Sequence, residues 1–351
     1  MDKDQGPKVN IVIPNWNGLR FLPTCLSSIE QQDFNLLQVT VVDNGSNDGS
    51  LEYLRDNHPQ VRVIALPENR GFSAAVNQGI LSSTAPFVFL LNNDTELDSA
   101  CLFHLVQASE EQKEFDFFSP KMLSFHDRTV LDGAGDGYLR GGAGYRLGTM
   151  EQENPVYNQP GSIFGACAGA ALYRRSLFDQ IGLFDEDFFA YLEDVDLNMR
   201  INHSGRRGYY VPTATVYHIG SASSGSKINP FTVRLSTRNS FYVLLKNYPT
   251  LLVLRLLPVI LIYQFFWLLF VIKKGQFPAY LHGVGQAVIS SRGMRKKRKK
   301  ISEYDLLNIG EFAVCLSRAE KEVLGSIMRR RRAKGKNNWL LNLYRVFFCR
   351  K

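Results

Sequence analysis

The 351-residue chain contains no C-x-x-C pair, and its five cysteines (Cys25, Cys101, Cys167, Cys315 and Cys349) are scattered and odd in number. That pattern argues against a zinc knuckle or a disulfide framework, so reduced thiols are expected. The G-x-x-x-x-G-K-[ST] loop is missing, which rules out P-loop phosphate binding. No G-x-G-x-x-G follows a strand-like run either, because GSNDGS at 45–50 has the wrong spacing. The opening MDKDQGPKVN has two acids and no apolar run, so no secretory signal is expected. No internal repeat is visible.

What is present is an apolar and basic chain. It is 45% hydrophobic and 12% aromatic, enough for a sizeable core, with a net charge of +8 and a pI near 9.2. Short β-branched or apolar runs at 9–13, 39–42, 61–66 and 87–91 alternate with helical spacing at 19–32, 51–57 and 73–83. This alternation predicts βαβ units and an α/β fold with a mostly parallel central sheet. Residues 130–165 are Gly-rich with aromatics between and no long period, and read as loops and hairpins over one end of the sheet. Helical patterning returns near 174–180 and 192–203.

In an open parallel sheet, ligands bind beyond the carboxyl ends of the strands. The residues that follow the predicted strands are Asn15 and Asn17, then Asp43, then Arg70, then Asn92 and Asp94. A carboxylate for a base or ribose, an arginine for phosphate and a carboxylate for a hard cation together fit a nucleoside diphosphate with a metal. Ordinary turn chemistry accounts equally for any one of them. In GLFDEDFFAYLEDVDLNMRINHSG, 182–205, Glu193, Asp194 and Asp196 cluster where helical spacing begins. A helix N-terminus favours acids, but acids among Phe188, Phe189, Tyr191 and Leu192 are also partly desolvated and better bases. His218 ends an apolar run and reads either as a structural histidine or as a ligand.

These segments, in this order, carry a resemblance. IVIPNWNG, VVDNGSNDGS, ENRGFSAAVNQG, LLNNDTEL, RRSLFDQIGLFDEDFFAYLEDVDLNMR and VYHIGSASSG resemble family 2 glycosyltransferases of the GT-A fold, in the bacterial rhamnosyltransferase-like and galactofuranosyltransferase-like branch. The resemblance spans roughly 8–245. It implies that Asp43 binds the nucleoside of a nucleotide-sugar, with Pro14, Asn15 and Asn17 lining the same pocket and Arg70 and Asn77 near the donor. Asn92-Asn93-Asp94 stands at the family's D-x-D, so Asp94 would coordinate Mg2+ or Mn2+ on the diphosphate, joined by His218. Asn92 departs from that pattern, and an amide is a weaker ligand than a carboxylate. Asp194, with Glu193 before it, would be the general base of an inverting transfer. No Q-x-x-R-W element is present, which favours transfer of a single sugar.

Residues 256–272 form an uncharged apolar stretch, LLPVILIYQFFWLLFVI, followed by the basic runs RGMRKKRKK at 292–300 and RRRRAKGK at 329–336 and an amphipathic NNWLLNLYRVFFCRK. The division expected is a GT-A catalytic domain at 1–248 and a helical, basic, membrane-interface region at 249–351. A single span would put the basic runs on the wrong side. Helices lying in the inner leaflet, on an anionic membrane surface at the cytoplasmic face of the plasma membrane, are therefore expected, with a helix buried against the catalytic domain or a solvated basic tail as the alternatives. That placement suits a lipid-linked glycan acceptor in cell-surface polysaccharide synthesis. No nucleic-acid partner is expected, because the basic runs lack interleaved aromatics. A nucleotidyltransferase would need a glycine-rich basic loop after the first strand, which Pro14 to Gly18 is not.

Overall fold

A computed structural model describes residues 6–220, 228–301 and 306–349. The expected alternation is there. Strands β1 (Val9–Asn15), β2 (Leu37–Asn44), β3 (Arg62–Leu66) and β4 (Phe87–Leu91) alternate with helices α1 (Leu22–Glu30), α2 (Ser50–Asn57) and α3 (Phe72–Leu81). These strands pair in parallel in the order β4-β1-β2-β3. Every residue of β4 is buried, as a strand covered on both faces requires. α1 begins later than the periodicity predicts, because residues 16–21 form the turn that crosses the carboxyl end of β1.

Beyond β4 the sheet is mixed. β5 (Thr95–Leu97), α4 (Cys101–Glu111), β6 (Phe117–Ser124) and β7 (Leu131–Ala134) come next. The Gly-rich segment then forms a separate hairpin of β8 (Asp136–Leu139) and β9 (Ala143–Arg146), followed by β10 (Gly161–Ile163). β11 (Ala170–Arg174) lies between β4 and β6 and runs antiparallel to both. α5 (Arg175–Ile181), α6 (Glu193–His203) and β12 (Gly208–His218) complete this part, with β12 parallel to β6. One apolar cluster fills the α1 and α4 face of the sheet, and a second fills the α3, α5 and α6 face.

The C-terminal helices are α7 (Pro230–Asn247), α8 (Thr250–Lys273), α9 (Phe277–Ile301), α10 (Ile309–Ala333) and α11 (Trp339–Phe348). A third apolar cluster joins Tyr138, Phe188, Val195 and Met199 to Leu252, Leu256, Ala287, Phe312 and Leu316. The two sides of the boundary expected at 248 thus share a core. Ion pairs add to it: Lys246 sits 2.7 Å from Asp185 and from Asp196, and Lys297 reaches Asp187 at 2.6 Å. Part of the basic excess is therefore spent inside the protein. Lys297, Arg298, Arg329 and Arg330 all bond to other parts of the chain.

α8 is long and apolar enough to cross a membrane by length and composition. It is also docked on one side: Gln264 donates to Gly141 O and Ser240 Oγ, and Trp267 donates to Thr237 Oγ1. Its other side leaves Leu254, Leu257, Leu261, Phe265, Leu269 and Ile272 exposed, a stripe at helical spacing. In α11 no residue is buried, and Trp339, Leu340, Leu343, Val346 and Phe347 are exposed.

Candidate active site

A cavity of about 590 Å³ opens at the carboxyl ends of β1 and β4. Of the residues singled out from the sequence, Pro14, Asn15, Asn92, Asn93, Asp94, Glu193, Asp194 and His218 line it. Asp43, Asn17, Arg70 and Asn77 do not, each for a visible reason. Asp43 is fully buried beneath the pocket, accepting from Asn15 Nδ2 and from the Ser46 N–H, both at 3.0 Å. Asn17 is turned outward, where its Oδ1 accepts from the Asn47 N–H at 2.9 Å. Arg70 is half-exposed and pairs with Glu186 at 3.2 Å. Asn77 spends its amide on the Phe184 backbone, donating to the carbonyl at 2.9 Å and accepting from the N–H at 3.0 Å.

β4 and β12 bring Asp94 and His218 together. His218 Nε2 stands 3.4 Å from Asp94 Oδ1. Two ligand atoms each about 2.0–2.2 Å from one small cation have roughly that separation. On the far side of the ring, His218 Nδ1 lies 2.7 Å from Asp132 Oδ2. A carboxylate behind a ligating histidine fixes the ring and raises its basicity, so these three residues fit a divalent cation. Burial alone would raise the Asp94 carboxyl, but the hydrogen bond and charge of His218 outweigh it and hold Asp94 below its ordinary range. Burial works the other way on His218, and Asp132 and Asp94 together hold its imidazole above the usual value. The segment of the VYHIGSASSG motif from Ser221 onward lies outside the described residues.

Opposite them, the first turn of α6 carries Glu193 and Asp194. Burial raises both carboxyls. Asp194 adds repulsion that pushes Glu193 well above its usual range, while the Val195 N–H, the Arg146 charge and the Ala168 N–H hold Asp194 back. Among the described residues, Glu193 Oε2 is buried without a hydrogen-bond partner. Of the two, Asp194 is the one suited to accept a proton.

The loop that delivers α6 is strained. Phe189, Tyr191 and Leu192 have φ of 64°, 67° and 64°, positive-φ conformations that cost bulky residues about 1–3 kcal/mol each. α7 holds them in place. Asn239 Nδ2 donates to the carbonyls of Phe188, Ala190 and Tyr191 at 3.0, 2.9 and 2.6 Å. Gly71 fits under the same loop: its φ is +87°, and a Cβ there would stand 2.5 Å from Phe189 O.

The sequence reading missed Asp132, Arg146 and Asn239. Asp132 and Arg146 belong to the aperiodic Gly-rich segment, and a carboxylate in LDGAGD looks like a turn residue until β7 places it behind His218.

The model of "Glycosyl transferase family 2" matches residues 10–182. The chain belongs to this family. The glycosyltransferase is 29% identical over 247 residues to the N-acetylglucosaminyl-diphospho-decaprenol L-rhamnosyltransferase of Mycobacterium tuberculosis, covering 63% of this chain and 78% of that protein. It is 27% identical over 230 residues to the O-antigen biosynthesis protein RfbC of Myxococcus xanthus, covering 62% of this chain but 18% of that one. Its fold is that of GT-A glycosyltransferases of known structure. It superposes on GalNAc-T7, solved with UDP, GalNAc and Mn2+, at a TM-score of 0.55 and 17% identity, covering 69% of this chain and about half (48%) of that one. It matches the mannosyltransferase PcManGT of Pyrobaculum calidifontis, solved with GDP-Man and Mn2+, at 0.50 and 14% identity, covering 93% and 87%.

Proposed function

We propose that this glycosyltransferase moves a single sugar, with inversion, from a nucleotide-diphosphate-sugar to a hydroxyl of a lipid-linked glycan at the cytoplasmic face of the plasma membrane. The observation that carries this reading is the meeting of Asp94, His218 and Asp194 around one cavity. Asp94 and His218 would hold a divalent cation, Mg2+ or Mn2+, which when bound offsets charge on the departing diphosphate. Pro14, Asn15, Asn92 and Asn93 form the wall that a nucleoside diphosphate would meet. Asn15 is braced from behind by Asp43 and bonded in front to Asn93 Nδ2 at 2.7 Å. Asp194 takes the proton of the acceptor hydroxyl as its oxygen attacks the anomeric carbon from the face opposite the diphosphate. Such help is worth about 10²–10⁴-fold in rate. Glu193 beside it is less ready to ionise.

The acceptor class is supported by the names of the relatives and by the apolar faces of α8 and α11. A helix docked on one side and apolar on the other fits an interfacial position better than a span. The test is a thermal-shift screen of nucleoside diphosphates with Mn2+, then release of nucleotide from the matching sugars in the presence of polyprenyl-diphosphate glycan in anionic vesicles. We expect one nucleotide to stabilise the protein with metal present, and release to depend on the acceptor. No stabilisation by any nucleotide, with no release, would overturn the reading. Removal from vesicles by high salt alone would overturn apolar insertion.

A further inference from the structure

The acidic side of the cavity holds a fixed positive charge that none of the motifs includes. Arg146 closes β9 and lines the cavity. One end of its guanidinium bonds Asp132 and Cys167 Sγ, and its Nε stands 3.9 Å from Asp136 Oδ1. Its stem passes so close over Gly133 that a Cβ there would lie 2.3 Å from Arg146 Cγ. Asp136, Cys167 and Asp194 present ligand atoms within 4.8 Å of one another. That is a spacing a metal ion could use, but the guanidinium already supplies a cation there.

Arg146 reaches Asp194 through this cluster: its Nη2 donates to Cys167 Sγ at 2.7 Å, and that sulfur lies within 4.8 Å of an Asp194 oxygen. The other titratable groups around Asp194 among the described residues are Glu193 on its own helix, Asp136 from β8 and Tyr173 from β11. Burial and the repulsion of Asp194 and Asp132 raise Asp136 to about 7 against the pull of Arg146. Asp132, Glu193 and Asp194 line the cavity with Arg146, and the guanidinium opposes their charge.

We propose that Arg146 is a positioning residue for transfer: braced by Asp132 and Cys167, its guanidinium is the counter-charge that keeps buried Asp194 ionised and able to accept a proton. The proposal rests on the reading of Asp194 as the base. A guanidinium suits the task because it stays protonated throughout the working range and its planar fork can be held from several sides at once. The same brace ties Asp132, and through it His218, to the charge that serves the base.

The test titrates Asp194 directly, by carboxyl-carbon NMR of the full chain labelled in aspartate, without added metal. The signal is assigned by its loss in Asp194→Asn. The pH dependence of kcat is measured alongside. In Arg146→Gln the Asp194 titration rises by about one unit or more. The acid limb of kcat follows it, so that a loss of about tenfold near neutral pH recovers in more alkaline buffer. Arg146→Lys, which keeps the charge, shifts less. Gly133→Ala, whose Cβ would displace the arginine stem, raises Asp194 in the same direction and keeps the proposal testable if Arg146→Gln does not fold. An unmoved Asp194 titration in folded Arg146→Gln, or in folded Gly133→Ala, overturns the proposal. A kcat loss that is constant across pH also overturns it, because that marks a structural role alone. If the wild-type protein transfers no sugar, the functional reading fails, while the NMR titration still decides whether Arg146 is the counter-charge.

Discussion

Asp132→Asn probes the cation site from behind. The substitution keeps the shape of the side chain and removes its charge. In the pocket, Asp132 Oδ2 accepts from His218 Nδ1 at 2.7 Å, with the two side chains 15% and 9% exposed, so water competes weakly for that bond. Losing such an outer partner lowers metal affinity by about 10–100-fold, or about 1.4–2.8 kcal/mol. The amide oxygen can still accept from Nδ1, so ring orientation is retained and only the electrostatic part is lost. The expected loss is therefore nearer tenfold. His218→Ala, which removes a ligand outright, should lose more. The assay is calorimetric titration of the full chain with Mn2+ at a fixed concentration of nucleoside diphosphate, near neutral pH. Asp179→Asn, on an exposed pair with Arg175, serves as the control. An unchanged Mn2+ Kd in Asp132→Asn beside a collapsed one in His218→Ala would refute the role of Asp132. Unchanged affinity in both would refute the site.

Asp194→Asn should keep the wild-type circular dichroism spectrum and lose about 10²–10⁴-fold in transfer; near-native turnover would show that another group takes the proton. Asn239→Ala leaves backbone carbonyls of the strained loop unsatisfied, so stability should fall by about 2–4 kcal/mol in urea unfolding and kcat should fall with it; a variant as stable as wild type would mean that α7 does not hold the loop. For pH dependence, burial would raise Asp185, but Lys246 and Lys297 hold it at about 2 against an ordinary 3.8. A depressed carboxyl gives stability that is present above the ordinary value and lost as pH falls through the folded one. About 2 kcal/mol should therefore disappear between roughly pH 4 and pH 2, and Lys246→Met should reduce that loss. Equal acid sensitivity in the two proteins would contradict it.

Much of the frame could be read from the residues. β4 and the ladder beside it follow from short apolar runs bounded by Asn and Asp, and Asp94 follows from strand-end logic; that Asp194 and His218 would join it was implied by the family resemblance. The rest depends on how segments without a period fold. Asp132 and Arg146 act through β7 and the β8–β9 hairpin, whose pairing no local pattern announces. Asp43 was legible as a strand-end carboxylate, but not as one turned to Asn15 and Ser46 beneath the pocket. The positive-φ run before α6 was hidden because Phe, Tyr and Leu disfavour that conformation, and it persists through Asn239, which lies far along the chain. The apolar stretch of α8 was plain in composition. That one side of it is pinned by Gln264 and Trp267 was not.

The turn of the β8–β9 hairpin is keyed into the seam between α7 and α8. A Cβ on Gly141 would lie 2.1 Å from Tyr263 Cβ, and Gly142, at φ +110°, sits against Ser240 and Leu244. The opposite end of the same hairpin holds Asp136 and Arg146. Gly141 and Tyr263 are thus not free to diverge separately: because the clash is with the Cβ at 263, any side chain at 141 demands glycine at 263 or a shift of α8. A chimaera cut at the end of α7 to swap sugar preference would inherit a mismatched seam, whereas one that carries its own α8 along with the hairpin would not.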